Sequence, residues 1–258
     1  QLKELFCLAK DNGLLVTACV INKRDLDLVV GLGGDFIKIV SGDISCHPFL
    51  KECASTQLQV FLSTGASTMD EVRAAVKVIS AAGNHKLTIY HTCITYPTPL
   101  EDVNLDIIDL YKTEFGFPIG YCDHTKGDFV SLLAAGKGIA ALEKHFSLDR
   151  KKKGPDYEVS LEPPEFKAML EKIKRICLIK GKAKKCILES EKSKYLATRR
   201  SIVALREISR GSLITKEKLS YKRPGNGLQP DKLKEVLGKK ASRDIAINEF
   251  ITTNEVKR

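Results

Sequence analysis

Two histidines, each close to a carboxylate, stand at the ends of two successive strand-like segments and could together hold a metal ion. Asp123 directly precedes His124, and Glu143 stands two positions before His145. The histidines are 21 positions apart, which is about one strand, one helix and one strand. If the two strands are parallel neighbours, both imidazoles emerge at the carboxyl rim, where parallel α/β folds place their chemistry. The alternative is that each is an ordinary histidine at a strand end.

Six short apolar segments alternate with helical patterns along the first 180 residues and would carry these side chains. Their starts are 20 to 30 residues apart, which is the period of a βα unit. The near-continuous apolar character of each segment is typical of parallel strands that are covered on both faces. We predict strands at Leu14–Cys19, Asp35–Val40, Leu58–Ser63, Leu87–His91, Phe117–Tyr121 and Ile139–His145.

Amphipathic patterns between the strands predict helices. The clearest runs from Thr68 to Ala82, with Ser67 or Thr68 as the N-cap and Glu71 placed for a capping box. Another runs from Glu162 to about residue 179 and has prolines in its first turn, where proline is tolerated.

Each predicted strand ends in chemically capable residues, as a (β/α)8 barrel requires. Only six units are visible. A TIM-type barrel at about 30 residues per unit would therefore need roughly 60 or more residues in front of this sequence. An open six-stranded sheet with helices on both faces is the alternative. The residues at the strand ends are Thr17, Cys19, Lys38, Ser41, Ser63, Thr64, His91, Thr92, Asp123, His124, Glu143 and His145.

The composition changes after the sixth segment, which predicts a domain boundary. Residues 1–180 form the α/β domain, and polar residues 181–196 are predicted to be a linker. Residues 197–258 form a small β-rich module. We predict β segments at Ser201–Val203, Leu213–Thr215, Leu219–Lys222 and Ala241–Ile245, with brief helical turns at Lys216 and Asp231–Leu237.

Bulk properties narrow the class of protein. The eight cysteines include no CxxC pair, so we expect reduced thiols and a cytoplasmic location. No apolar run reaches the roughly 18 residues that a membrane helix needs. The net charge is +10, but the basic runs lack interleaved aromatic residues, so we expect no nucleic-acid partner. Solvated surface lysines, or attraction of an anionic substrate, account for this charge.

Several motifs in fixed order resemble the N-acetylneuraminate (sialic acid) synthase family. The resemblance covers about residues 14–252 and implies an α/β TIM-type (β/α)8 barrel, here without its first two βα units. The later module resembles the family's C-terminal SAF (antifreeze-like, β-clip) domain. The motifs are Phe36–Asp43, Leu62–Gly65, Tyr96–Pro99, Gly120–Thr125, Glu143–Phe146, Gly154–Asp156 and Lys222–Gly227.

The resemblance implies a transferase that condenses phosphoenolpyruvate with N-acetylmannosamine, or a related N-acyl amino sugar, to give N-acetylneuraminate and phosphate. His124 and His145 match the family's ligands for a divalent metal, Mn²⁺ or Mg²⁺, which polarises the aldehyde. Glu143 matches a carboxylate between metal and substrate, as a proton shuttle or an orienter of sugar hydroxyls, although a buried structural carboxylate is the alternative. Asp123 is expected to hydrogen-bond near the metal site rather than to bind the metal.

The same resemblance implies the substrate-binding residues. Lys38 matches the lysine that holds phosphoenolpyruvate, although a lysine in an apolar strand could instead extend to solvent. Arg223 matches an arginine that the SAF domain contributes to the partner subunit's site, which implies a domain-swapped homodimer; its alternative is a surface cation. The remaining residues are Ser41, Ser63 and Thr64 at the rim, Tyr96, Cys122 near phosphoenolpyruvate, and Asp156 on the sugar hydroxyls.

Three positions depart from the family pattern, and they keep other functions open. Ile94, Cys122 and Cys19 stand where the family often has side chains that hydrogen-bond to phosphoenolpyruvate. Isoleucine cannot donate, and cysteine donates weakly. The alternatives are a legionaminate or pseudaminate synthase, a Schiff-base (class I) aldolase using Lys38, and a carbohydrate-binding protein without catalytic activity.

Overall fold

The structure is a computed structural model that describes residues 1–256. The chain divides into two compact units, the first covering Gln1–Gly181 and the second beginning at Lys182. No helix within residues 1–256 combines the length and the apolar character needed to cross a membrane.

The first unit is built on a parallel sheet of six strands, each hydrogen-bonded to the next strand along the chain. Strand order therefore follows chain order, as it does around a barrel. The α/β class predicted from the sequence is confirmed. The strands are β1 (Cys19–Val20), β2 (Phe36–Ile39), β3 (Gln59–Ser63), β4 (Leu87–His91), β5 (Ile119–Asp123) and β6 (Ala141–Lys144).

Helices connect these strands. Thr68 is the N-cap of the fourth helix, and its capping box with Glu71 is formed as predicted. The helix predicted to start near Glu162 begins at Pro163, with Glu162 as its N-cap. The helices of this unit are α1 (Leu2–Asp11), α2 (Lys23–Gly31), α3 (His47–Ser55), α4 (Met69–Ala81), α5 (Asp106–Phe115), α6 (Phe129–Gly136), α7 (Pro155–Val159) and α8 (Pro163–Lys180).

Side chains from distant strands meet, which shows that the sheet is curled. Lys38 on β2 and Glu143 on β6 are separated by three strands, yet Lys38 Nζ lies 3.4 Å from Glu143 Oε2. In a flat sheet the four strand spacings would put these positions roughly 19 Å apart, farther than the two side chains reach. The sheet is therefore a half-barrel with a concave and a convex face.

The two faces carry different residues because successive side chains on a strand point in opposite directions. The convex face is apolar and packs under the helices, with Ile37, Leu62 and Ile89 fully buried. The concave face carries an aromatic group below the rim. Phe36 and Phe61 meet edge to face at 4.9 Å between ring centroids, and Tyr90 lies 5.5 Å from Phe61.

The predicted strands match the structure best in the middle of the sheet. The fourth strand has the predicted bounds, whereas the prediction of a strand over Leu14–Cys19 is wrong for most of its length. Leu14 and Leu15 are exposed. Val16 is held by hydrogen bonds with the backbone and the carboxylate of Asp35, and the ladder with β2 begins only at Cys19.

The stretch predicted to be a linker is partly helical. Helix α9 (Glu189–Thr198) occupies its second half. Its lysines, glutamates and alanine favour a helix even though most of the side chains are exposed.

The second unit contains two antiparallel strands, β7 (Ser201–Ala204) and β8 (Leu219–Lys222). The predicted segments near residues 213–215 and 241–245 take part only in isolated bridges. The predicted helical turns are present as 3₁₀ segments at Lys216–Lys218 and Pro230–Glu235. The apolar core of this unit consists of Ile202, Ala204, Ile208, Ile214, Leu219, Val236, Ala241, Ile245 and Ile251.

Candidate active site

A lysine and a carboxylate meet on the concave face, near the carboxyl rim. Lys38 is only 8% exposed, and its Nζ donates a hydrogen bond to Ser63 Oγ at 2.7 Å. The same ammonium lies 3.4 Å from the Glu143 carboxylate. A nearly buried charge needs such partners. The predicted alternative, a Lys38 side chain extended into solvent, is therefore wrong.

The two histidines singled out by the sequence lie side by side at the same rim. The ring centroids of His124 and His145 are 5.2 Å apart, and their planes are inclined by 65°. This proximity follows from the ladder between β5 and β6, which pairs Asp123 with Lys144 just before the two histidines. Tyr96 packs against both rings, stacked on His124 at 4.0 Å and edge to face with His145 at 5.4 Å.

Hydrogen bonds fix which nitrogen of His124 carries the proton. Its Nδ1 contacts the carbonyl oxygen of Cys93 at 2.5 Å, and because a carbonyl can only accept, Nδ1 is the donor. Nε2 is left with its lone pair and accepts a hydrogen bond from the Tyr96 hydroxyl at 2.8 Å. Burial lowers the pKa of His124, which favours the neutral imidazole.

His145 is the more accessible member of the pair. Its side chain is 26% exposed, and Nδ1 lies 3.8 Å from Asp156 Oδ1 on α7. That separation is longer than a hydrogen bond. Asp156, predicted to bind sugar hydroxyls, is largely exposed and therefore adjoins the histidine pair from the solvent side.

The donor set fits a divalent metal. His124 has the arrangement usual for a ligand, in which one ring nitrogen donates to a backbone carbonyl and the other carries a lone pair that could coordinate an ion once the Tyr96 hydroxyl moves away. Over residues 1–256 no group of three or more His, Cys, Asp and Glu side chains is placed to hold a metal. The pair His124 and His145 would therefore need oxygen ligands from water or substrate to complete the coordination of Mn²⁺ or Mg²⁺.

Close contacts between the ends of β2, β3 and β4 shape the rim beside Lys38. Ser41 Oγ accepts a hydrogen bond from Gly65 N at 3.0 Å. A side chain at Gly65 would place its Cβ 2.7 Å from Ile94 Cγ2 and 3.1 Å from Thr92 Cγ2, so any larger residue there would have to displace these neighbours. The predicted residue Ser41 thus lies at the rim, and Ile94 is an exposed apolar neighbour.

The structure does not bring Thr64 into this group. Its hydroxyl donates to the carbonyl oxygen of Tyr90 at 2.8 Å and lies 3.0 Å from the Tyr111 hydroxyl on α5. Because side chains alternate, Thr64 faces the helices when Ser63 faces the concave side. The prediction that the Thr64 hydroxyl binds substrate is therefore corrected to a structural role.

Arg223 belongs to the second unit, where it follows β8 with an exposed side chain. Its role in binding the sugar N-acyl group stays a prediction.

The Cys122 thiol lies inside the site rather than beside it. Cys122 is 3% exposed, its Sγ is 3.3 Å from His124 Nε2, and it pairs with Glu143 in the ladder. Burial, reinforced by the nearby Glu143 carboxylate, raises the pKa of Cys122 to about 12. The thiol is therefore neutral at physiological pH.

Sequence reasoning missed two contributors to this site, the Cys93 carbonyl and Lys144. A backbone acceptor leaves no signal in the sequence. For Lys144 the sequence did contain a signal: Lys144 stands one position before His145, just as Asp123 stands one position before His124.

A half-barrel with a lysine–carboxylate pair and a histidine pair at its carboxyl rim has the architecture of an α/β-barrel enzyme. The model of the NeuB family matches residues 1–185, and that of the SAF domain matches residues 199–257. The chain therefore belongs to the NeuB family and carries a SAF domain, as its motifs indicated.

Three relatives illustrate the similarity. The chain is 34% identical to the N,N'-diacetyllegionaminic acid synthase of Campylobacter jejuni, over 96% of this chain and 75% of that protein. It is 31% identical to the pseudaminic acid synthase of Helicobacter pylori, over 99% of this chain and 75% of that protein. The crystal structure of the N-acetylneuraminic acid (sialic acid) synthetase of Leptospira borgpetersenii, a complex with citrate, has a TM-score of 0.70 and 32% identity, over 74% of this chain and 68% of that one.

We predict that Cys122 resists alkylation in the folded protein. At a pKa of about 12, about one thiol in ten thousand is ionised at pH 8, and the thiolate is the reactive form. Iodoacetamide should therefore label the exposed Cys46 and Cys177 within minutes and leave Cys122 unlabelled. Peptide mass spectrometry measures the labelling. Cys53, which is buried in the helical layer and also has a pKa raised to about 12, is the matched control.

All eight cysteines should react once the protein is unfolded in guanidinium. Labelling of Cys122 at the rate of Cys46 in the native state would contradict the geometry of the site.

Proposed function

We propose that the protein is a phosphoenolpyruvate-dependent sugar-acid synthase. It condenses phosphoenolpyruvate with an N-acyl amino sugar aldehyde and releases phosphate. The observation that supports this most is the presence of the Lys38–Ser63–Glu143 group on the same rim as the histidine pair, in a chain of the NeuB family.

The first part of the site suits an anionic substrate. The Lys38 ammonium and the Ser63 hydroxyl are two donors that converge within 2.7 Å of each other. A carboxylate or phosphate oxygen that entered here could accept from both and displace the weaker contact with Glu143 at 3.4 Å. Lys38 and Ser63 would thus bind phosphoenolpyruvate.

The second part of the site suits a carbonyl. Glu143 and His145 are two positions apart on an extended segment, so their side chains leave the same face roughly 6–7 Å apart. A sugar aldehyde held between them would have an imidazole on one side and a carboxylate on the other. Asp156, whose Oδ1 lies 3.8 Å from His145 Nδ1, would contact sugar hydroxyls.

The reaction balances as a condensation with water. The C3 carbon of phosphoenolpyruvate forms a bond to the aldehyde carbon, water adds at C2, and phosphate leaves with cleavage of its C–O bond. A bound Mn²⁺ or Mg²⁺ would supply Lewis acidity toward the aldehyde oxygen.

Side chains of the protein would hold the ion, orient the substrate and transfer the proton. His124 and His145 would hold the ion, and the Tyr96 hydroxyl, which now donates to His124 Nε2, would turn toward a substrate oxygen. Glu143 would move a proton between water or a sugar hydroxyl and the growing product.

The choice of amino sugar stays open between several substrates. The relatives named above are legionaminic, pseudaminic and sialic acid synthases. N-acetylmannosamine, its 6-phosphate and the bacterial legionaminate and pseudaminate precursors share the aldehyde and N-acyl groups that the proposed reaction requires. A panel of these aldehydes, assayed for phosphate release from phosphoenolpyruvate, distinguishes them.

We predict that His124→Ala and His145→Ala each lower metal-dependent phosphate release by at least about 100-fold, because each removes one of two protein ligands. A phosphate assay with Mn²⁺ measures the loss. His85→Ala is the control. His85 is exposed and lies in the loop before β4, at the end of the sheet opposite the carboxyl rim. Full activity in both site variants would refute the metal assignment and with it this function.

A class I aldolase is the second candidate. The role of the Lys38 amine distinguishes the aldolase from the synthase. The aldolase needs Nζ free to attack a carbonyl, whereas here it contacts Ser63 and Glu143. We predict that Lys38→Met raises the KM for phosphoenolpyruvate about tenfold to a hundredfold, the worth of a hydrogen bond to a charged group. Steady-state kinetics measure it, and Lys77→Met, an exposed lysine on α4, is the control.

Borohydride separates the same two reactions chemically. The synthase leaves no reducible adduct. A substrate mass trapped on Lys38 would establish the aldolase instead.

We further propose a homodimer in which Arg223 of one subunit completes the site of the other. If sites are shared in this way, inactive His124→Ala and Arg223→Ala subunits form heterodimers in which one of the two sites is intact. Mixing and re-equilibrating the two variants should restore roughly a quarter of wild-type phosphate release. Failure of the mixture to gain activity, with subunit exchange verified by mass, would place Arg223 in its own subunit's site or in none.

A further inference from the structure

We infer that Asp123 and Lys144 are positioning residues, which set the spacing of His124 and His145 from the opposite face of the sheet. Each stands immediately before one of the histidines. The inference rests on the proposed function, since it concerns how the two imidazoles are held at the distance that a shared ion requires.

The two residues form a buried ion pair across the last rung of the β5–β6 ladder. Their Cα atoms are paired in register, and Lys144 Nζ lies 3.1 Å from Asp123 Oδ2. The side chains are 1% and 0% exposed. Because side chains alternate, this pair lies on the convex, helix-covered side while Cys122 and Glu143 face the concave side.

The Asp123 carboxylate also fixes the backbone of Thr125, the residue that follows His124. Its Oδ1 accepts hydrogen bonds from the backbone N–H and the hydroxyl of Thr125, both at 2.8 Å. Its Oδ2 accepts from Ser131 Oγ on α6 at 2.5 Å. Lys144 Nζ also donates to the Thr125 carbonyl. The residues on both sides of His124, Asp123 and Thr125, are therefore held by the same ion pair.

His145 is held in a comparable way. Lys144 precedes His145, and the carbonyl oxygen of His145 accepts a hydrogen bond from Leu161 N at 2.8 Å. The ion pair thus joins the chain segments of both imidazoles, and a change in the separation of Asp123 and Lys144 would be carried directly into the separation of the two rings.

Stability alone does not account for charges at this position. Removing two charges from water is costly, and apolar residues of similar size usually pack as well or better. Beyond the Thr125 and Ser131 groups, β5 and α6 bury apolar side chains, among them Tyr121, Val130 and Ala134. What an apolar pair could not supply is the set of directional hydrogen bonds that fixes the Thr125 backbone.

The test is a paired apolar substitution, Asp123→Leu with Lys144→Met, which removes both charges and the hydrogen bonds that the Asp123 carboxylate makes to Thr125. The double variant removes both charges together and leaves no unpaired buried charge, so the chain should fold with a melting temperature within a few degrees of wild type. Its Kd for Mn²⁺ should rise about 10- to 100-fold, which is the usual effect of losing the groups that orient metal ligands. The disappearance of the electron paramagnetic resonance signal of free Mn²⁺ on titration with protein measures the Kd without any assay of activity.

The matched control is Glu114→Gln with Arg73→Met. That ion pair, 2.7 Å between Arg73 Nε and Glu114 Oε1, also joins two elements of the first unit, α4 and α5, but is more exposed. It should leave the Kd for Mn²⁺ unchanged.

Each outcome has one meaning. A wild-type Kd in the Asp123/Lys144 double variant overturns the inference, and so does a rise in Kd that only reflects loss of folded protein by circular dichroism. Both leave the proposed function intact, provided that His124→Ala abolishes Mn²⁺ binding. Absence of Mn²⁺ binding by the wild-type protein instead refutes the metal site of the proposed function and the inference with it.

Discussion

The curl of the sheet is the constraint on which the rest of the structure depends. Only a curled sheet lets Lys38 on β2 reach Glu143 on β6, across three strands. The same curvature directs the concave side chains of all six strands toward one region, and the parallel order puts their carboxyl ends at one rim. Without it, the lysine–carboxylate pair and the histidine pair would be separate features of a flat sheet.

The sequence was sufficient for the elements that local pattern and burial decide together. The fourth strand, Leu87–His91, is buried along its whole length and was predicted with its actual bounds. The capping box at Thr68 and Glu71 depends only on residues four positions apart or less. The errors fall at edges and in the small unit. Residues 14–18 have the composition of a strand, but most of that stretch lacks a ladder partner, and composition cannot report whether a partner exists.

For the site, the sequence could predict which residues gather but not which way each one points. The spacing of His124 and His145 was informative because parallel neighbours share a register. Ser63 and Thr64 are equally polar and adjacent, yet one contacts Lys38 and the other Tyr111, since strand alternation separates them. The Cys93 carbonyl that fixes the tautomer of His124 comes from a loop whose path follows from packing.

The aromatic group of Phe36, Phe61 and Tyr90 below the rim has an electrostatic consequence. The Lys38 ammonium lies 5.8 Å from the Tyr90 ring centroid, so its field spreads into a medium of low dielectric constant on one side and into solvent on the other. Charges facing such a boundary attract an oppositely charged molecule more strongly than the same charges on an open surface. The Glu143 carboxylate, 3.4 Å from the same ammonium, opposes this attraction, so an anion at the rim would experience the full field of Lys38 only where it displaced that carboxylate.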